Sequence, residues 1–141
     1  MIIKKLYEII KFKIEAYRDT SDKHFFNVQV AKTPKEIETG LMWVTKMSLD
    51  QGMLFEYKDN SYPSMWMKNT IIPLDMIFMD NNMRVVGIIK NAAPYSTTSR
   101  TIEYAARYVL ELNGNTSSRL GLSIGDTISS DKITLINELV N

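Results

Sequence analysis

The sequence predicts an α+β domain: mainly antiparallel β-sheet or a partly closed barrel, two or three short helices, and an N-terminal amphipathic helix. Three observations point there. Short apolar runs recur between Phe25 and Leu112, joined by turn chemistry rather than by long helices. Helical spacing is confined to the N-terminal segment and to two short stretches with cap residues. No βαβα alternation is present, which argues against a doubly wound fold. At 141 residues the chain has the size of one domain. We place a helix and linker over 1–21 and a compact domain over 22–141.

Residues 2–17 carry the helical spacing, with Ile2, Leu6, Ile9 and Ile10 on one side and Ile3, Ile14 and Tyr17 on a neighbouring one. Residues 1–18 hold five basic and two acidic side chains, a net +3. Such a helix suits docking on its own domain or a protein partner, or self-association; the alternative is a surface helix lying on anionic lipid. The polar break from Asp19 to His24 reads as a linker. Phe25 to Ala31 alternates as a strand, with Phe26, Val28 and Val30 on one face. Thr33-Pro34-Lys35-Glu36 is a helix start: Thr33 caps, Pro34 suits the first helical position and Glu36 completes a capping box. Gly40 suits a helix end at positive φ.

Met53 to Tyr57 reads as a strand, Asp59 to Pro63 as a turn, and Met65 to Lys68 as another strand. Leu74 to Met79 is nearly continuous in apolar residues, which suits a strand buried on both faces. Asp80-Asn81-Asn82 then turns into a returning strand, Val85 to Lys90. Residues 91–104 form the longest irregular segment, the kind that often serves function. Tyr108 to Leu112 is a strand closed by Asn113-Gly114. Thr116 is expected to cap a short helix ending near Gly121. Gly125-Asp126 turns into a last pair of short elements.

Composition excludes several chemistries. With no cysteine there is no disulfide, thiolate nucleophile or cysteine metal site. A net charge of +1, with Arg84, Lys90, Arg100, Arg107 and Arg119 scattered along the chain, does not suggest nucleic acid. No apolar run approaches the roughly 20 residues that span a bilayer. Lysines interrupt the N-terminal apolar residues, so no secretory signal is read and the chain is expected to be unexported, either cytoplasmic or part of an assembled particle. His24 lacks partners for a metal site and reads as a solvated loop residue. Asp80, Asn81, Asn82 and Asp126 do not form a calcium loop. No nucleophile elbow or phosphate loop occurs, and we expect neither metal nor cofactor.

The polar residues set among Met, Trp and Ile between Gly52 and Asp80 carry what chemistry remains: Lys68, Asn69, Thr70 and Asp75. Lys68 and Asp75 flank Pro73 and could approach each other. Asn69 and Thr70 can hold backbone groups of the turn. One reading is a satisfied polar lock in which Lys68 pairs with Asp75 or Glu111. The other is a pocket beside Pro73, with residues 91–104 as its lid. There Lys68 holds an anion, and Asp75 acts as base or acceptor. Trp66, with Met65 and Met67, reads as core rather than as groove lining.

Residues 26–128, about three quarters of the chain, resemble the bacterial and archaeal family called domain of unknown function 192. The resemblance is carried by Thr33 to Glu36 with Gly40-Leu41-Met42, then Gly52 to Phe55, Trp66-Met67-Lys68-Asn69-Thr70 and Ile72-Pro73-Leu74-Asp75-Met76-Ile77-Phe78. Val109 to Leu112 and Gly121 to Asp126 follow in the same order. It implies a compact, mainly β domain and no established activity. Two features depart from the family pattern: members often begin with a secretory or lipoprotein signal, and many carry two cysteines in the loop that here runs from Pro94 to Glu103. The functional expectation is a non-catalytic binding or structural interaction module, docking through its N-terminal helix. The alternative is a small enzyme or ligand-binding protein using Lys68 and Asp75 on a small anionic or carbohydrate-like substrate. Lys68, Asn69, Thr70, Asp75 and Glu111 are the binding candidates.

Overall fold

A computed structural model describes residues 6–15 and 23–137, with side chains over 24–129. The elements run β1 (Leu6–Glu15), β2 (Lys23–Ala31), α1 (Pro34–Thr39), β3 (Gln51–Ser61), β4 (Leu74–Met79), β5 (Val85–Ala92), β6 (Ala106–Asn113), α2 (Thr116–Leu120) and β7 (Thr127–Asn137). The strands form one mixed sheet in the order β5-β4-β6-β3-β2-β1-β7. The β2–β3 pair is parallel and the other neighbours are antiparallel. The sheet does not close into a barrel. Its edge strands β5 and β7 approach only around Arg84 and Thr127, where Val85 N–H donates to the Asp126 carbonyl at 2.8 Å.

The expected N-terminal helix is corrected. Residues 6–15 are a strand, hydrogen-bonded on one edge to β2 and on the other to β7. The rest of the 2–17 stretch, and most of the expected linker, lie outside the described residues. Ile10, Phe12 and Ile14 alternate with Lys11, Lys13 and Glu15, a period of two that competes with helical spacing in so short a window. Paired edges on a sheet settle the competition through backbone hydrogen bonds. His24, expected in a loop, lies in β2 opposite Ile14 and is partly buried. Met65 to Lys68 is not a strand either; only Met65 bridges, to Arg100. The expected last pair of short elements is the single strand β7.

The β2–α1–β3 crossover follows from local chemistry. Glu36 N–H donates to Thr33 Oγ1 at 3.1 Å and Thr33 N–H donates to Glu36 Oε1 at 2.9 Å, the expected capping box. Gly40 ends α1 at φ 46° and returns its N–H to the Glu36 carbonyl. Gly52 then lets β3 approach β6, because a Cβ there would lie 2.5 Å from the Glu111 carbonyl oxygen.

β4 is buried along its whole length, as the continuous apolar run predicts. Its alternation divides the core between the two faces of the sheet. Ile77 and Met79 join Leu54, Leu110 and Leu112 in one cluster, while Leu74, Met76 and Phe78 join Phe55 and Val109 in the other. The 65–67 segment covers this second face, with Met65 and Met67 inside the cluster. This division decides where each polar residue goes.

Candidate functional site

Asp75 sits between Leu74 and Met76, so by the same alternation it faces the cluster of Ile77 and Met79. It is fully buried and fully used. Oδ1 accepts from the backbone N–H groups of Asn91 at 2.9 Å and Asn115 at 3.1 Å. Oδ2 accepts from the Ser117 N–H at 2.8 Å and its hydroxyl at 2.7 Å. Asn91 and Asn115 hold positive φ values of 50° and 72°, which turn their N–H groups toward the carboxylate. An ionised carboxylate offers about four lone-pair sites, and all are occupied. Asp75 thus caps α2, whose N-cap Asn115 makes no side-chain cap bond. Thr116, expected as the cap, is the first helical residue, and its buried Oγ1 has no partner among the described residues.

Glu111 faces the opposite side. It lies on β6 opposite Met53 of β3 and Met76 of β4, on the face shared by Phe55, Tyr57 and Val109. It is 3% exposed, and no hydrogen bond or ion pair reaches its carboxyl among the described residues. The atom that is both sealed from solvent and unpartnered among those residues is Thr116 Oγ1. The Glu111 oxygens must therefore touch open space. That space is a cleft of about 230 Å³ walled by α1, the turn after it, β3 and the 64–70 segment. Burial pushes the Glu111 carboxyl from its usual 4.5 up to about 8. Burial first, and the neighbouring Glu111 second, push the Tyr57 phenol up to about 12. Tyr57 lines the same cleft and, among the described residues, gives its proton to Met65 Sδ, at 3.2 Å, a weak acceptor.

Of the residues predicted from sequence, Lys68 and Thr70 share this cleft with Glu111, while Asp75 does not line it. Lys68 is exposed, with Nζ 5.1 Å from the centre of the Trp66 ring, and pairs with neither Asp75 nor Glu111. The expected Lys68 lock is therefore corrected: Asp75 is locked by other partners on the other face. Thr70 is buried, and its hydroxyl donates to the Lys68 carbonyl at 3.1 Å. Asn69 has φ 53° and accepts at its carbonyl from the Trp43 N–H at 2.9 Å. Trp66, expected in the core, is 40% exposed and lines the cleft.

The 91–104 segment is a strap rather than a lid beside Pro73. Met65 and Arg100 exchange two backbone bonds of 2.8 Å; Met67 N–H donates to Ser96, and Tyr95 N–H donates to the Thr70 carbonyl. The strap fixes the segment that presents Trp66 and Lys68. Sequence reasoning missed Tyr57, although it shares the parity of Met53 and Phe55. Glu111 stands among the sequence's binding candidates and as an ion-pair partner for Lys68, and its place as the one acid in Val109-Leu110-Glu111-Leu112 is the signal that marks it as buried. A larger concavity of about 430 Å³, between β2 and α1, contains no buried polar side chain and offers no comparable chemistry.

The family model for domain of unknown function 192, described as "Uncharacterized ACR", matches residues 16–130, and the chain belongs to that family. No curated protein matches. Among solved structures, a candidate transcription regulator from Sinorhizobium meliloti 1021 is 33% identical with a TM-score of 0.83, covering 92% of this chain and 97% of that one. A protein of unknown function from Novosphingobium aromaticivorans DSM 12444 is 36% identical with a TM-score of 0.80, covering 86% of this chain and 84% of that one.

Proposed function

We propose that this protein is a non-catalytic binding module for a small molecule, and that its site is the Glu111 cleft. The observation that carries the reading is the Glu111 carboxyl, buried and facing the cleft without a donor or cation among the described residues. A buried polar group left unpaired costs about 1–3 kcal/mol. Groups kept in that condition beside a cavity are candidates for ligand contact. Tyr57, Thr70 and the exposed pair of Trp66 and Lys68 supply further contacts.

The enzyme alternative drawn on Lys68 and Asp75 loses support, since Asp75 has no free lone pair and lies on the other face of the sheet. Docking through an N-terminal helix loses its basis, because residues 6–15 are a strand engaged at both edges. Transcription regulation, named for the Sinorhizobium relative, gains no support from a net charge of +1 or from helices of six and five residues.

Thermal-shift screening with small organic acids, sugars and amines tests the proposal. A binding compound should raise Tm by a few degrees at saturating concentration. Ser99→Trp, which fills the cleft from its exposed side, should abolish the shift. Ligands that stabilise Ser99→Trp as well as the natural chain would place the site elsewhere.

A further inference from the structure

Taking the Glu111 cleft as the ligand site, we infer that its ligand is a small molecule bearing a single carboxylate, received by Glu111, Tyr57 and Lys68 acting together as hydrogen-bond donors. The titratable groups lining the cleft are Glu111 on β6, Tyr57 on β3, Glu38 on α1 and Lys68 on the 64–70 segment. Among the described residues, no arginine, histidine or aspartate lines it. Burial keeps the proton on Glu111 through neutral pH and on Tyr57 well beyond it. In that range the cleft presents a carboxylic O–H, a phenolic O–H and an ammonium group. Thr70 adds an acceptor, since its own proton is committed to the Lys68 carbonyl.

A carboxylate answers three donors better than a neutral or cationic group does. Hydrogen bonds to an ionised acceptor are shorter and roughly twice as strong as neutral ones. Tyr57 would exchange the weak thioether acceptor of Met65 for an anionic oxygen. A cationic ligand meets the opposite situation: it would need Glu111 to ionise in a buried position, and it would face Lys68 at the mouth. The charge also limits the anion. Among the described residues Lys68 is the one cation in the lining, so it can offset one negative charge, while Glu38 opposes the second charge of a phosphate monoester. Size limits the remainder. A cleft of about 230 Å³ is smaller than the roughly 300–1,000 Å³ usual for drug-sized ligands, and it admits a body of about one sugar ring. Trp66, beside Lys68, offers that ring a flat wall.

Three pyranoses of one shape separate the charge requirement from the ring requirement: glucuronate, glucose and glucosamine. Each is titrated into the full chain at about pH 6.5 and about pH 9, following the Trp66 indole and Glu111 amide signals by NMR. Glucuronate should bind in preference to the other two at the lower pH. Its affinity should fall about tenfold at the higher pH, the loss of protonated fraction for a group titrating near 8. Glu111→Gln retains a donor and should bind with no such pH dependence, and Lys68→Met should bind glucuronate more weakly at both values. Preference for glucosamine or glucose, or glucuronate affinity that holds steady or rises with pH in the natural chain, overturns the carboxylate assignment while leaving the cleft as a ligand site. If none of the three moves the cleft signals, the assignment of a ring-sized carboxylate falls, and the Ser99→Trp comparison decides the site independently.

Discussion

Asp75 and Glu111 are buried acids on neighbouring strands of one sheet, paired one position apart: Asp75 opposite Leu112, Met76 opposite Glu111. Asp75 receives four hydrogen bonds and ties β4 to the β5 end and to α2. Glu111 receives none among the described residues and faces a cleft. Equal burial thus gives opposite roles. What differs is the supply of donors, and strand alternation decides it by sending one acid to each face. A buried acid in a sequence is therefore not yet a site; a buried acid without donors, beside a cavity, is the candidate.

The contrast can be broken most forcefully at Asp75. Asp75→Asn replaces acceptor oxygen with an N–H group facing backbone donors, leaving at least one buried N–H unpaired. A loss of roughly 3 kcal/mol is expected in urea denaturation. An unchanged unfolding midpoint would remove Asp75 from its role as a strut.

The pH dependence at Glu111 sharpens the other side. Its folded value of about 8 lies above the ordinary 4.5, so between them the unfolded chain has lost a proton that the folded chain keeps. Fewer protons on the unfolded state mean that stability falls as pH rises through this window, by at most roughly 1.4 kcal/mol per pH unit, and levels off above it. Glu111→Gln should lack this decline. Parallel denaturation curves from about pH 5 to about pH 8 for both proteins measure the difference, and identical slopes would mean that Glu111 is ionised in the fold.

The smallest effect concerns capping. α1 is capped from within its own sequence and α2 by Asp75 from a distant strand. Thr33→Ala should cost only about 1 kcal/mol, because it removes a surface cap and nothing from the core. A loss as large as that of Asp75→Asn would erase the distinction between the two caps.

The same distinction explains what could be read in advance. The α1 start, the positive φ of Gly40 and the two-faced burial of β4 are set by residues within a few positions of one another, and each is as expected. Near neighbours in sequence offer Thr116 as the cap of α2; the true acceptor, Asp75, lies 42 residues away from Ser117. Lys68 and Asp75 both flank Pro73 in sequence, yet the sheet sends them to different surroundings. Helical spacing in the N-terminal segment masked an equally good alternation, and only the paired edges of β2 and β7 decided for a strand.

By itself the sequence determined the family, the β-rich class, the local capping and turn chemistry, and the absence of cysteine chemistry, because these depend on composition and on contacts between near neighbours. Tertiary structure alone decided the order of the sheet, which edges are paired, and which buried acid is supplied with donors. Those outcomes depend on which face of a strand meets which distant backbone N–H, and a one-dimensional pattern carries that alternation without saying what lies across from it.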